Sequence, residues 1–137
     1  MAGRVIVVDD VADIRHLMRQ VIEELFAPLV GAGSLEVATA PDAATACTLC
    51  EGDPPALVLM DVNLPGEDGI SAFYRIKERS PELARRVYFL TGLVGSPDSL
   101  QRLHQAVVDG AGGVLVKPVT AADLQRTIET HLPATCC

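Results

Sequence analysis

Apolar runs and their spacing divide this chain into two alternating patterns. Ala56-Leu57-Val58-Leu59-Met60 runs without interruption into Asp61, and the turn formers Pro65, Gly66, Asp68 and Gly69 follow closely. A short unbroken run closed by breakers predicts a strand buried on both faces, as in a parallel sheet. Arg4-Val5-Ile6-Val7-Val8 is a second such run and stops at Asp9-Asp10. Ile14, Leu17, Met18, Val21, Ile22 and Leu25 then recur at helical spacing and predict an amphipathic helix. Pro28 and Gly31-Ala32-Gly33-Ser34 are expected to end that helix in a loose loop. Leu35-Glu36-Val37-Ala38-Thr39 reads as a short, half-polar strand. Pro41 opens an Ala-rich helix that should reach Glu51, with Gly52 at its end.

Beyond the central run, Ile70, Phe73 and Ile76 mark a helix stopped by Pro81. Arg86-Val87-Tyr88-Phe89-Leu90 predicts the fourth strand, which delivers Thr91. Ser96, Pro97 and Asp98 make a helix start with N-cap, proline and acid in favoured places. Leu100, Leu103 and Val107 give that helix its face, and Gly110 ends it. Gly113-Val114-Leu115-Val116 is the fifth strand, running into Lys117-Pro118, and Thr120 caps a last helix carrying Leu124, Ile128 and Leu132. Strand then helix, five times over, predicts an α/β fold: one doubly wound sheet of five parallel strands with helices on both faces.

Composition narrows the class. A chain of 137 residues suits a single domain, here 1–137 with a core of about 4–132, and with 49% hydrophobic but only 4% aromatic residues its core must be aliphatic. No apolar run approaches the roughly 18–20 residues that span a bilayer, and no basic-then-apolar leader is evident. A soluble cytoplasmic protein without membrane contact is expected. The net charge of −7 argues against direct nucleic-acid binding, which needs a basic footprint. Cys47 and Cys50 form a CxxC, but in an Ala-rich helical stretch with no histidine nearby they read as small packing residues. Cys136 and Cys137 end the chain and are expected to be exposed.

The chemistry lies at the strand ends. The first strand ends in Asp9 and Asp10, the third in Asp61, the fourth in Thr91 and the fifth in Lys117. In a parallel sheet these ends share one edge, so residues distant in sequence converge there. Each carboxylate raises the pKa of its neighbours, so three together call for a counter-ion. A hard divalent cation with oxygen ligands answers this, and Mg²⁺ suits one or two carboxylates plus waters and a phosphate. A lysine and a hydroxyl beside it can hold phosphoryl oxygens. A carboxylate so placed can act as nucleophile and become an aspartyl-phosphate. Singly, such an aspartate is a turn former, and Thr91 or Lys117 an ordinary strand end; the combination is specific.

At these residues the chain resembles the response regulator receiver domain of two-component signalling, a flavodoxin-like fold. The matching pieces are Val7-Val8-Asp9-Asp10, the stretch from Leu59 through Asp61 to Gly69, Leu90-Thr91-Gly92 and Val116-Lys117-Pro118. The resemblance implies that Asp61 accepts a phosphoryl group from the phosphohistidine of a sensor histidine kinase or histidine phosphotransfer protein. It implies Mg²⁺ ligated by Asp10, Asp61 and the backbone carbonyl of Asn63, with Asp9 assisting. Thr91 and Lys117 would contact the phosphoryl group, and Lys117-Pro118 resembles the family's cis peptide. The output would be altered binding of a downstream protein target, and the domain would not be an enzyme. Two departures stand out. Val114 occupies the place where the family often carries Tyr or Phe, and the segments around Gly31–Gly33 and 92–95 look enlarged.

The alternative in another class is a haloacid-dehalogenase-type Mg²⁺-dependent phosphatase. Its nucleophile would follow the first strand in a DxD arrangement, whereas here Asp9 and Asp10 are adjacent and no insertion large enough for a cap is present. A receiver that has lost its chemistry would lack an acidic or lysine position, and none is lost. With only residues 133–137 after the last helix, the reading is a stand-alone receiver or one excised from a hybrid histidine kinase or larger regulator.

Overall fold

The computed structural model describes residues 3–92 and 97–132. The expected cap at Ser96, positions 93–95 and the terminal Cys136 and Cys137 lie outside the described residues. The order of elements is β1 (Gly3–Val8), α1 (Ala12–Leu25), α2 (Ala27–Gly31), β2 (Leu35–Ala40), α3 (Ala43–Glu51), β3 (Leu57–Asp61), α4 (Gly69–Arg79), α5 (Pro81–Ala84), β4 (Val87–Thr91), α6 (Pro97–Val108), β5 (Gly113–Val116) and α7 (Ala121–His131). All strand pairings are parallel, in the sheet order β2-β1-β3-β4-β5. The expected doubly wound sheet is therefore present, with its reversal of strand order between β1 and β3.

Alternation along the strands sends side chains to two separate cores. Ile6, Val8, Val58, Met60, Val87 and Phe89 pack beneath α3, α4, α5 and α6, around the fully buried Phe73. Val5, Val7, Leu57, Leu59 and Leu90 face Ile22 and Phe26 on one side and Leu124 and Ile128 of α7 on the other. Every residue of β3 is buried, which explains its unbroken apolar run. Phe73 meets Phe89 edge to face, with centroids 5.6 Å apart.

Two prolines act differently from the expectation. The stretch after Phe26 is not a loose loop: Pro28 lies in the first turn of α2, where its missing N–H costs nothing. Pro81 follows the end of α4 but also opens α5, where the Ser80 hydroxyl accepts from the Leu83 amide at 3.1 Å. The helix expected to open at Pro41 instead starts at Ala43, because the Asp42 carboxylate caps it by accepting from the Thr45 amide at 2.8 Å. Thr120 caps α7 as expected and forms a reciprocal capping box with Asp123.

The helix faces also shift. Ile14 and Leu17, placed on the buried side of α1 by periodicity, are exposed, and that helix packs through Met18, Val21, Ile22 and Leu25. Leu100 is likewise exposed on α6, which buries only Leu103 and Ala106. Cys47 and Cys50 are free thiols packed against the α3 side of the core, in keeping with a packing role. Burial pushes the Cys50 thiol up to about 11, so it stays protonated. Among the described residues no helix is long and apolar enough to cross a membrane.

Candidate functional site

The carboxyl ends of β1 and β3 lie side by side, with Val8 paired to Met60 one residue short of the two carboxylates. Asp9 and Asp61 are buried, at 2% and 4% exposure, while Asp10 faces solvent. Carboxylate oxygens of the three all come within 4.8 Å of one another. The chain reaches this point from β5 as well. Thr91 is paired with Val116, and the Lys117 amide donates to the Thr91 carbonyl at 2.8 Å. The Lys117–Pro118 peptide is cis, as the family resemblance implied.

Lys117 Nζ donates to Asp61 Oδ2 at 2.6 Å and stands 3.7 Å from Asp9 Oδ2. Burial pushes the Lys117 ammonium down, but the hydrogen bond and charge of Asp61, with Asp9 behind it, outweigh that and hold it above its ordinary value. The Asp9 pKa is raised as well, which for a carboxylate favours the neutral form. Burial raises its pKa first, and the charge of Asp61 adds to this, against the opposing Val11 amide and Lys117. The second oxygen of each buried aspartate is fixed by local backbone. Asp9 Oδ1 accepts from the Val11 amide and Asp61 Oδ1 from the Asn63 amide, both at 2.9 Å. These turns lock the carboxyl rotamers and leave Oδ2 of both residues turned toward Lys117.

Among the described residues, Asp9 Oδ2 is a buried oxygen of this cluster that accepts no hydrogen bond. An unsatisfied buried carboxylate oxygen is costly. With an all-oxygen donor set around it, the cluster fits a hard divalent cation rather than a soft one. One lysine does not balance three carboxylates, and a cation would complete the balance.

The site also depends on residues that pattern reading passed over as turn formers. Gly69 opens α4 directly against Asp61: a Cβ built there would overlap the Asp61 carbonyl oxygen and come 3.1 Å from its carbonyl carbon. The Gly69 amide donates to the Val62 carbonyl at 3.0 Å, closing the loop that Gly66 turns with φ +76°. Asp68 caps α4 by accepting from the Ser71 amide at 2.8 Å, and Arg102 of α6 donates to its other oxygen at 3.0 Å. Burial raises the Asp68 pKa, but the Ser71 amide and Arg102 together bring it below the ordinary range.

Thr91, Asn63 and Val114, also singled out by the sequence, have the following neighbours. The Thr91 hydroxyl donates to the Gly92 carbonyl at 3.0 Å. Asn63 lies two residues beyond Asp61, on the same turn. Val114 pairs with Phe89 and packs against the α4 side of the core.

A buried aspartate pair with an exposed third carboxylate and a strand-end lysine lies at the switch point of a five-stranded doubly wound sheet, where open α/β sheets place their ligand sites. The family model of the response regulator receiver domain matches residues 5–129, and the chain belongs to that family. The family is one of signalling domains rather than of catalytic enzymes, which sets aside the dehalogenase-type alternative.

The chain is 32% identical over 120 residues to the response regulator PleD of Caulobacter vibrioides, covering 87% of this chain but only 24% of PleD. It is 30% identical over 135 residues to the chemotaxis protein CheY of Halobacterium salinarum, covering 98% of this chain and all of that one. A receiver domain protein from Clostridium thermocellum superposes with a TM-score of 0.77 at 25% identity, covering 95% and 94% of the two chains. The chemotaxis protein CheY4 of Vibrio cholerae gives 0.73, also at 25% identity.

Proposed function

We propose that Asp61 is the phosphoacceptor of a two-component or phosphorelay pathway. Its donor is the phosphohistidine of a sensor histidine kinase or histidine phosphotransfer protein, and its output is altered binding of a downstream protein. The observation that carries this reading is the 2.6 Å approach of Lys117 Nζ to Asp61 Oδ2 beside a buried Asp9 oxygen that accepts no hydrogen bond. That arrangement has a nucleophile, a cation to follow the transferred group, and three carboxylates close enough to share a second cation.

The chain's own groups define the step. The Asn63 amide holds Asp61 Oδ1, which leaves Oδ2 as the attacking atom. Oδ2 bonds to phosphorus while the phosphorus–nitrogen bond of the donor breaks. The electron pair departs on the imidazole nitrogen, which takes up a proton. Lys117 passes from the carboxylate oxygen to a phosphoryl oxygen, and the Thr91 hydroxyl exchanges the Gly92 carbonyl for another. Asp10, Asp61 and the Asn63 carbonyl, with Asp9 assisting, would hold Mg²⁺, which would supply positive charge to offset the carboxylates and the transferring oxygens.

Val11, Ile14 and Leu17 are exposed on and just before the first turns of α1, next to Asp9 and Asp10 in the chain. An apolar patch there offers a docking face for a donor protein. The net charge of −7 keeps nucleic acid out of direct contact. We place this protein in the cytoplasm, as a signalling domain and not a turnover catalyst.

The test is uptake of phosphoryl from phosphoramidate, whose phosphorus–nitrogen bond mimics phosphohistidine, together with thermal melting in a Mg²⁺ titration. Incorporation should require Mg²⁺, and the melting temperature should rise with its concentration by mass action. Asp10→Asn should remove most of that rise. A melting temperature indifferent to Mg²⁺, with incorporation equal in its absence, overturns the reading.

A further inference from the structure

Helix α6 is thinly anchored by apolar contacts, since only Leu103 and Ala106 are buried along its 12 residues. Polar ties to α4 hold its middle and the residue just past its last turn. At the far end, the Tyr74 hydroxyl donates to Asp109 Oδ2 at 2.6 Å. At mid-helix, Arg102 donates to both oxygens of Asp68, at 3.0 and 3.5 Å. Asp68 is bonded directly to Gly69, the residue whose Cα lies against the Asp61 carbonyl. The Asp68 carboxylate therefore does two jobs: it caps α4 through the Ser71 amide and receives the α6 guanidinium.

We propose that Arg102 is a positioning residue for Asp61, acting through Asp68 and Gly69, so that the placement of α6 and the reactivity of the phosphoacceptor are linked. This inference rests on the reading of Asp61 as acceptor. The chain of contacts is short: guanidinium to carboxylate, one peptide bond to Gly69, then van der Waals contact with the Asp61 backbone. Losing the pair relaxes the start of α4, and with it the wall that sets the Asp61 carbonyl. By linkage the effect runs both ways: a partner that pulls α6 away alters phosphoryl chemistry, and phosphorylation alters the hold on α6. Val114, in place of an aromatic that could swing, packs against the core beside Phe89 on the neighbouring strand. A polar tie on the α4 side gives α6 a route to the site that needs no swinging ring.

The two roles of Asp68 can be separated. Asn is as good an N-cap as Asp, so Asp68→Asn keeps the cap and loses the ion pair. Arg102→Gln loses the pair from the other side, and Arg102→Lys retains a cation without the fork. Phosphorylation rates from phosphoramidate at saturating Mg²⁺, and beryllofluoride affinity, should be measured for these three, for the Asp68→Asn/Arg102→Gln double variant, and for Arg79→Gln. The last removes a comparable arginine, paired with Glu51.

Each single loss should lower rate and affinity about two- to fivefold, the range open to a partly exposed pair worth up to about 1 kcal/mol. The double variant should be no worse than either single one, Arg102→Lys should recover part of the loss, and Arg79→Gln should match the parent. Single variants at the parental rate, or losses that multiply in the double variant, overturn the inference. If the parent itself takes no phosphoryl group on Asp61, the functional reading fails instead.

Discussion

Gly69→Ala places a methyl group where the Asp61 backbone already sits. The new Cβ would fall inside 3.0 Å of the Asp61 carbonyl oxygen, 3.1 Å from its carbonyl carbon and 3.2 Å from Met60 Cγ. The first two neighbours are backbone of a fully buried central strand, so neither can rotate aside. Either α4 or the end of β3 must move by several tenths of an ångström. Overpacking of this kind costs about 1–3 kcal/mol, against a helix-propensity gain of at most about 1 kcal/mol for losing glycine. The net expectation is a loss of about 1–2 kcal/mol in urea denaturation.

Function should suffer more than stability. Misplacement of a reacting group by ~1 Å costs about 10²-fold in rate, so a smaller shift of Asp61 should cost about tenfold in phosphoryl uptake, measured where the variant is fully folded. Two controls isolate the cause. A Cβ at Gly31 meets nothing within 4 Å, and the residue lies within helix α2, so Gly31→Ala should match the parent in rate and lose no stability. Gly66 has equally open space but φ +76°, so Gly66→Ala should cost about 1–2 kcal/mol of backbone strain with a smaller loss of rate. A Gly69→Ala protein with parental stability and parental uptake would refute the argument from close approach.

Three further outcomes are expected. Lys117→Ala should retain the Mg²⁺-dependent rise in melting temperature, yet beryllofluoride should leave hydrogen exchange in its α6 unchanged where it alters that of the parent. Its loss of stability should be about 1–3 kcal/mol, below that of a fully buried pair because the lysine is 37% exposed; a parental exchange response in this variant contradicts its role. His131 lies 2.9 Å from the Tyr88 hydroxyl, and burial, reinforced by the charge of Arg86, holds its pKa below the ordinary 6.5. The unfolded chain therefore binds a proton that the folded one resists, so stability contributed at this position is full above 6.5 and falls as pH drops below it. Asp9, shifted upward, opposes this trend, so the comparison is with His131→Gln, whose urea-midpoint profile should be flatter on the acid side; identical slopes would contradict the shift. Phe73→Ala should cost about 3–5 kcal/mol, because the ring is fully buried between Tyr74 and Phe89; a loss under about 1 kcal/mol would mean that this core collapses around the cavity.

Strand positions and their terminal chemistry were legible because a β3 buried on both faces leaves no ambiguity of period, and parallel strands put Asp9, Asp61, Thr91 and Lys117 at one edge. The helices were less legible where one residue type carries two meanings. Pro28 and Pro81 read as stops but also serve as first-turn residues of α2 and α5. Ile14 and Leu17 match the helical period yet face outward, since periodicity marks an apolar stripe without telling a core from a docking face. The supports of the site were hidden for another reason. Asp68 and Gly69 form a turn signal in any reading, and only the fold brings Arg102, 34 residues on, to the same carboxylate. Contacts of that kind come from helix packing and leave no local pattern.

The central claim is that phosphoryl transfer ends on Asp61. After exposure to acetyl phosphate and Mg²⁺, borohydride reduction and peptide mass spectrometry should find one base-labile group per chain, on Asp61 alone. Asp61→Asn should abolish it while leaving the protein folded. Full incorporation in Asp61→Asn, or a parental adduct mapped to Asp9, Asp10 or any other residue, would contradict the account.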